Sequence, residues 1–105
     1  MDKKEVLEQI KKYGRHSIRP ELAKELAKAF DLEMPKSLIY TKERYREMSD
    51  GSPRVSTEDL VVFIANKLKV KPDTEKLKTA NMMLGVGSCA ELTVEAYVMG
   101  LEKVI

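Results

Sequence analysis

The chain has 105 residues, 43% hydrophobic and 34% charged, with 19 basic and 17 acidic side chains and a formal net charge of +2. That length suits one domain over residues 1–105, burying roughly two thirds of the unfolded surface with little margin. The near balance of charge argues against a dedicated nucleic-acid binder, which ordinarily carries a basic excess. The lone cysteine, Cys89, excludes an intrachain disulfide and points to a reducing cytoplasm.

Lys and Glu abound, while Gln9, Asn66 and Asn81 are the only side-chain amides, a composition associated with thermophiles. Met1–Asp2–Lys3–Lys4–Glu5 runs straight into an amphipathic pattern, so no secretory leader is expected. The longest uncharged stretch, residues 79–90, contains Gly85 and Gly87 and falls well short of the about 20 apolar residues a membrane span needs.

Val6, Leu7, Ile10 and Tyr13 recur at helical spacing before Gly14, which predicts a first helix over 2–13. Pro20, with Ser17 upstream, opens a second, whose inward face is Leu22, Ala23, Leu26, Ala27, Ala29 and Phe30 and which ends near Asp31. Pro35 starts a third, carrying Leu38, Ile39, Tyr45 and Met48 and stopping before the turn cluster Asp50–Gly51–Ser52–Pro53. Ser56 and Asp59 are spaced as a capping box for a fourth helix with Leu60, Val61, Phe63, Ile64, Ala65 and Leu68. Its β-branched opening would suit a strand elsewhere, but the cap signal and the lack of a partner strand favour helix. Pro72–Asp73–Thr74 opens a fifth through Leu77, Ala80, Met83 and Leu84 to Gly85, and a second box, Ser88 and Glu91, starts a last helix that runs to residue 105. The expected fold is all-α, a compact orthogonal bundle of five to six helices with a hydrophobic C-terminal helix.

That last helix is apolar nearly all round, with Glu91, Glu95, Glu102 and Lys103 its only charges. Such a helix must be buried on more than one side. It is either the central core helix or a docking surface, and for the second role the interface residues are Leu92, Val94, Tyr97, Val98, Met99 and Leu101. A leftover stripe of such side chains would favour association, at roughly 1.5–3 kcal/mol per fully buried residue.

Two stretches have the shape of a helix-turn-helix. Residues 25–33 resemble its first helix and turn, with the small Ala27 at a helix crossing, and residues 64–74 repeat the pattern. Asp31 and Lys69 stand where the turn glycine is usual, and Ser37 and Glu75 stand at the position that should be buried, at a cost of roughly 1–3 kcal/mol. If the third helix reads DNA, Lys36, Lys42, Arg44 and Arg46 are its phosphate or base contacts and Tyr40 stacks, while Glu43 and Glu47 repel the backbone.

Other features point to less. The lysines between Lys67 and Lys78 read as a solvated face before an anion patch. Gly85–Val86–Gly87–Ser88–Cys89 offers helix-start amides but has neither phosphate-loop nor dinucleotide spacing. His16, the only histidine, sits among Lys11, Lys12, Arg15 and Arg19, which would keep it protonated, so it makes a poor base for Cys89. With a single histidine and a single cysteine, no zinc site can be assembled without carboxylates. The carboxylates are scattered among lysines at ion-pair spacing, as in Glu21–Lys24 and Glu25–Lys28. No enzymatic activity, cofactor, metal or small-molecule substrate is expected. The expected function is a non-catalytic helical protein-interaction module, a cytoplasmic homodimer or small subunit of a larger assembly. The alternative is a helix-turn-helix DNA-binding transcriptional regulator.

Overall fold

The computed structural model describes residues 2–14, 16–40, 52–82 and 89–105, which form five α-helices, one 3₁₀ turn and three short strands. Helix α1, Lys3–Tyr13, begins where Asp2 accepts a hydrogen bond from the Glu5 N–H at 2.8 Å, satisfying one of the free amides of a helix start. It buries Val6, Leu7 and Ile10 and stops at Gly14, whose φ of +48° with ψ of −114° lies outside the left-handed helical region that other residues can enter.

Strand β1, Ser17–Ile18, leads into α2, Pro20–Lys28, with the proline at the helix start, where its missing N–H costs nothing. Helix α2 buries Ala23, Leu26 and Ala27. Beyond it the Asp31 N–H donates to the Lys28 carbonyl at 2.8 Å and the Leu32 N–H to the Ala27 carbonyl at 3.1 Å, with Asp31 at φ +59°. These paired bonds around a left-handed residue are a Schellman termination, built without the usual glycine.

The described part of the expected third helix is not α-helical. Lys36–Leu38 form a 3₁₀ turn and Ile39–Tyr40 form strand β2; residues 41–51, with Tyr45 and Met48, lie outside the described residues. The reason is visible in the spacing: after Leu38 and Ile39, the next helical turn offers only Thr41, Lys42 and Glu43, with no apolar side chain to face a core. Ile39 and Tyr40 instead have β-forming side chains and pair with strand β3, Arg54–Ser56. Ser17 and Ile18 of β1 pair antiparallel with Ser56 and Val55, giving the sheet order β1-β3-β2 with the buried Val55 at its centre. The fold is therefore mostly helical with a small sheet, and the all-α expectation holds only roughly.

Ser56 also caps α3, Thr57–Lys67, its hydroxyl accepting from the Asp59 N–H at 3.4 Å. Thr57 is fully buried, and its hydroxyl donates to the His16 carbonyl at 2.7 Å, which fixes α3 to the residue preceding β1. A second Schellman turn ends α3: the Lys69 N–H donates to the Asn66 carbonyl at 3.2 Å and the Val70 N–H to the Ala65 carbonyl at 2.8 Å, with Lys69 at φ +57°. Helix α4, Thr74–Met82, follows; Asp73 accepts from the Lys76 N–H at 2.9 Å and donates its own N–H to the Ala96 carbonyl at 2.9 Å.

The last helix, α5, spans Cys89–Glu102 and packs against α1, α3 and α4. Val94, Val98 and Leu101 join Val6, Ile10, Leu26, Leu60 and Ile64 in one apolar cluster. The turn between α3 and α4 crosses α5 so closely at Gly100 that an added Cβ would collide with the Lys71 carbonyl oxygen and stand 3.3 Å from the Pro72 Cα. Gly100→Ala is expected to cost about 2–3 kcal/mol in urea unfolding, because backbone must move to admit the methyl. An unchanged unfolding midpoint would show that the 71–72 segment is free to leave α5.

Candidate interaction site

Three of the six interface residues expected on α5 are spent on the chain's own core: Val94, Val98 and Leu101 are 1%, 0% and 0% exposed. Leu92, Tyr97 and Met99 are half-buried. Met99 lines a cleft of about 320 Å³ with Lys11, Lys76 and Glu95, the last two paired at 3.4 Å. The middle of α5 is thus wrapped by its own neighbours. Its uncovered apolar surface lies just beyond the helix end, at Val104 and Ile105, which are 60% and 49% exposed.

Leu68 meets them there, 36% exposed, although its sequence position put it on the inner face of α3. It is the C-cap of that helix and so stands beyond the last regular turn. The three side chains share a groove of about 500 Å³ with Phe30, Val70 and Gly100, bordered by Lys3, Lys69, Lys71 and Lys103. No Asp or Glu side chain lines it. Lys3 lies 6.0 Å from the centre of the Phe30 ring, whose exposure is only 3%.

The lysines between Lys67 and Lys78 therefore do not form one patch. Lys69 and Lys71 border the groove, Lys76 pairs with Glu95, and Lys67 lies 6.0 Å from the Phe63 ring. Sequence periodicity missed the groove because its residues come from five separate places along the chain. The one local signal was the absent turn glycine at Lys69.

Of the expected DNA contacts, Lys36 and Tyr40 lie among the described residues. Lys36 is exposed on the 3₁₀ turn; Tyr40 is 8% exposed in β2, opposite Arg54, so it offers no free face for stacking. Lys42, Arg44 and Arg46 lie outside the described residues. Arg54 itself is turned to structural use, donating to the Ser17 hydroxyl at 3.2 Å and the Ser17 carbonyl at 3.1 Å. Ser37 and Glu75 are exposed, so the expected cost of burying them does not arise.

Among the described residues no three His, Cys, Asp or Glu side chains are grouped to hold a metal, and no helix is long and apolar enough to cross a membrane. The His16 ring is exposed, and the Cys89 side chain, Arg15 and the turn over 85–88 lie outside the described residues. Glu58, in the first turn of α3, is pushed above the ordinary carboxylate range by partial burial and then by the adjacent Asp59 charge. The chain matches no protein-family model, no curated protein and no solved structure.

Two outcomes follow. Leu101→Ala is expected to lower the unfolding free energy of the purified chain by about 2–5 kcal/mol, and Val104→Ala by less than about 0.5 kcal/mol; equal losses in urea would mean that Val104 is packed. Glu58 binds its proton more tightly folded than unfolded, so it is neutral for stability below the ordinary Glu value and becomes a penalty as pH rises through the raised one. Glu58→Gln should therefore gain stability at neutral pH and lose that gain in acid. Lower stability of the variant at neutral pH would mean that the field at the α3 start outweighs desolvation.

Proposed function

We propose that the chain is a non-catalytic protein-interaction module, a small subunit that docks onto another protein with the surface beside the end of α5. The observation that carries this reading is the adjacency of Leu68, Val104 and Ile105 in one groove, left uncovered by a chain that buries Val94, Ala96, Val98 and Leu101 of α5. Scattered exposed apolar side chains are ordinary, but contiguous ones mark association surfaces. The carboxylates fit the same reading: Glu95 and Glu102 are engaged in exposed ion pairs with Lys76 and Lys11, worth at most about 1 kcal/mol each.

In fresh extract of cells that make it, the chain is expected to elute in gel filtration well above its own 12.0 kDa. The double variant Val104→Lys, Ile105→Lys should keep its unfolding temperature and elute as the free chain. Elution of the unaltered chain at the monomer position would overturn the reading. Light scattering on the purified chain separates the two forms of association, since a mass near twice 12.0 kDa assigns the surface to a second copy.

A second reading, a helix-turn-helix DNA-binding regulator, is favoured by the α3–α4 junction. There a tight left-handed turn at Lys69 joins two helices, and α4 exposes Lys78, Thr79 and Asn81. The exposed Glu75 in its first turn opposes a phosphate backbone. Retardation of duplex DNA that is lost steeply with salt would support this reading, and no retardation at low ionic strength removes it.

A further inference from the structure

We propose that the groove beside the end of α5 receives an acidic amphipathic segment of a partner protein. The segment would set its apolar side chains on Leu68, Val104 and Ile105 and its carboxylates against Lys3, Lys69, Lys71 and Lys103. The inference rests on the interaction-module reading and names the chemistry of its partner.

Charge complementarity selects this occupant. Four ammonium groups surround an apolar floor with no carboxylate side chain among its lining residues, and among the described residues none of Lys69, Lys71 and Lys103 has an acidic partner within ion-pair distance. The chain's other described ion pairs lie elsewhere, between α1 and α5 and between α4 and α5. A partner that supplies carboxylates around an apolar stripe matches both parts of the surface, and the steering of such charges raises the association rate. A second copy does not match, because a two-fold contact through this face would set four lysines against the same four lysines. Nucleic acid would place phosphates over exposed valine and isoleucine, and the one aromatic ring present, Phe30, is nearly fully buried with Lys3 over it.

The groove is also built before anything binds. Val70 and Lys69 are held by hydrogen bonds to the end of α3, and the Lys71 carbonyl is seated on Gly100, so three lining residues are fixed by backbone contacts. Such preorganisation lowers the ordering cost of association. Lys69 occupies a left-handed conformation that costs an ordinary side chain roughly 1–2 kcal/mol and glycine almost nothing. Lys69 therefore carries its charge to the groove rim at a backbone cost that a glycine would avoid.

The test uses the full chain, isotopically labelled, and three probes. The first is a synthetic amphipathic peptide of about 15 residues with leucines at i, i+3, i+4 and i+7 and glutamates between them, alongside its counterpart with lysine for each glutamate. The others are vesicles of equal parts phosphatidylserine and phosphatidylcholine, and duplex DNA. The expected result is binding of the glutamate peptide with amide shifts confined to residues 3, 30, 68–71 and 100–105, and no binding of the lysine peptide. The double variant Lys69→Glu, Lys103→Glu should weaken that binding about tenfold or more, and Val104→Ser should weaken it as well. Both alter exposed side chains, and unchanged unfolding temperatures verify their folds. Equal binding of the two peptides, shifts elsewhere on the chain, or preferential binding of vesicles or DNA at these residues overturns the proposal. So does an assembly in fresh extract that survives the Lys69→Glu, Lys103→Glu change, an outcome that leaves the interaction-module reading standing. Monomer elution of the unaltered chain removes both.

Discussion

The arrangement of the helices depends on one close approach, that of the Lys71 carbonyl to Gly100. With no side chain in the way, the backbone between α3 and α4 lies directly on α5. Two residues later the Asp73 N–H reaches the Ala96 carbonyl, while the Asp73 carboxylate caps the start of α4. The same short segment therefore ends one helix, crosses a second and starts a third. α5 gains neighbours on three sides as a result, and its Val94, Val98 and Leu101 are covered by a chain of only 105 residues. The groove is the outer edge of that crossing, bounded by whatever the turn and the end of α5 leave uncovered.

Helix positions were legible where apolar spacing coincided with a chemical stop or start. Asp2 and Gly14 bracket α1, Pro20 opens α2, Ser56 opens α3, and the segment at 72–74 opens α4. The sheet was not legible because its strands are two or three residues long, too short for alternation to show. What holds Ile18, Ile39 and Val55 together is pairing across some 16 to 37 positions of chain, a non-local contact that no window of sequence contains. The described start of the expected third helix, residues 35–40, is the same failure seen from the other side. Pro35 is a sound helix opener, but the residues after it found a strand partner in β3 and no core for a helical face.

Of the six residues expected at an interface on α5, Val94, Val98 and Leu101 are buried in the chain's own core and Leu92, Tyr97 and Met99 are half-buried. A sequence with few charges, such as that of α5, is compatible with a core helix and with a docking helix, and the difference is decided by how many other elements reach it. Three do. Val104 and Ile105 stay exposed beyond the crossing, where α5 ends and the covering turn has passed, while the most exposed large apolar side chain among the described residues, Met82, stands apart at the end of α4. Leu68 stands at the very end of α3, still helical and with its N–H on the Ile64 carbonyl at 3.0 Å, and the chain turns left-handed at Lys69 immediately after it.

Asp31 and Lys69 are the two non-glycine residues with positive φ among those described, and they occupy the same place in two Schellman turns of the same hydrogen-bond pattern. Their chemistry differs. Aspartate tolerates the left-handed region because its short side chain can bond locally, so Asp31 needs no further explanation. Lysine has no such compensation, and glycine at that position would satisfy the turn with less strain. Asp31 lines none of the clefts described, whereas Lys69 stands at the rim of the one that holds Leu68, Val104 and Ile105. The two turns therefore share a geometry and differ in setting, the second placing its left-handed residue at the rim of a groove.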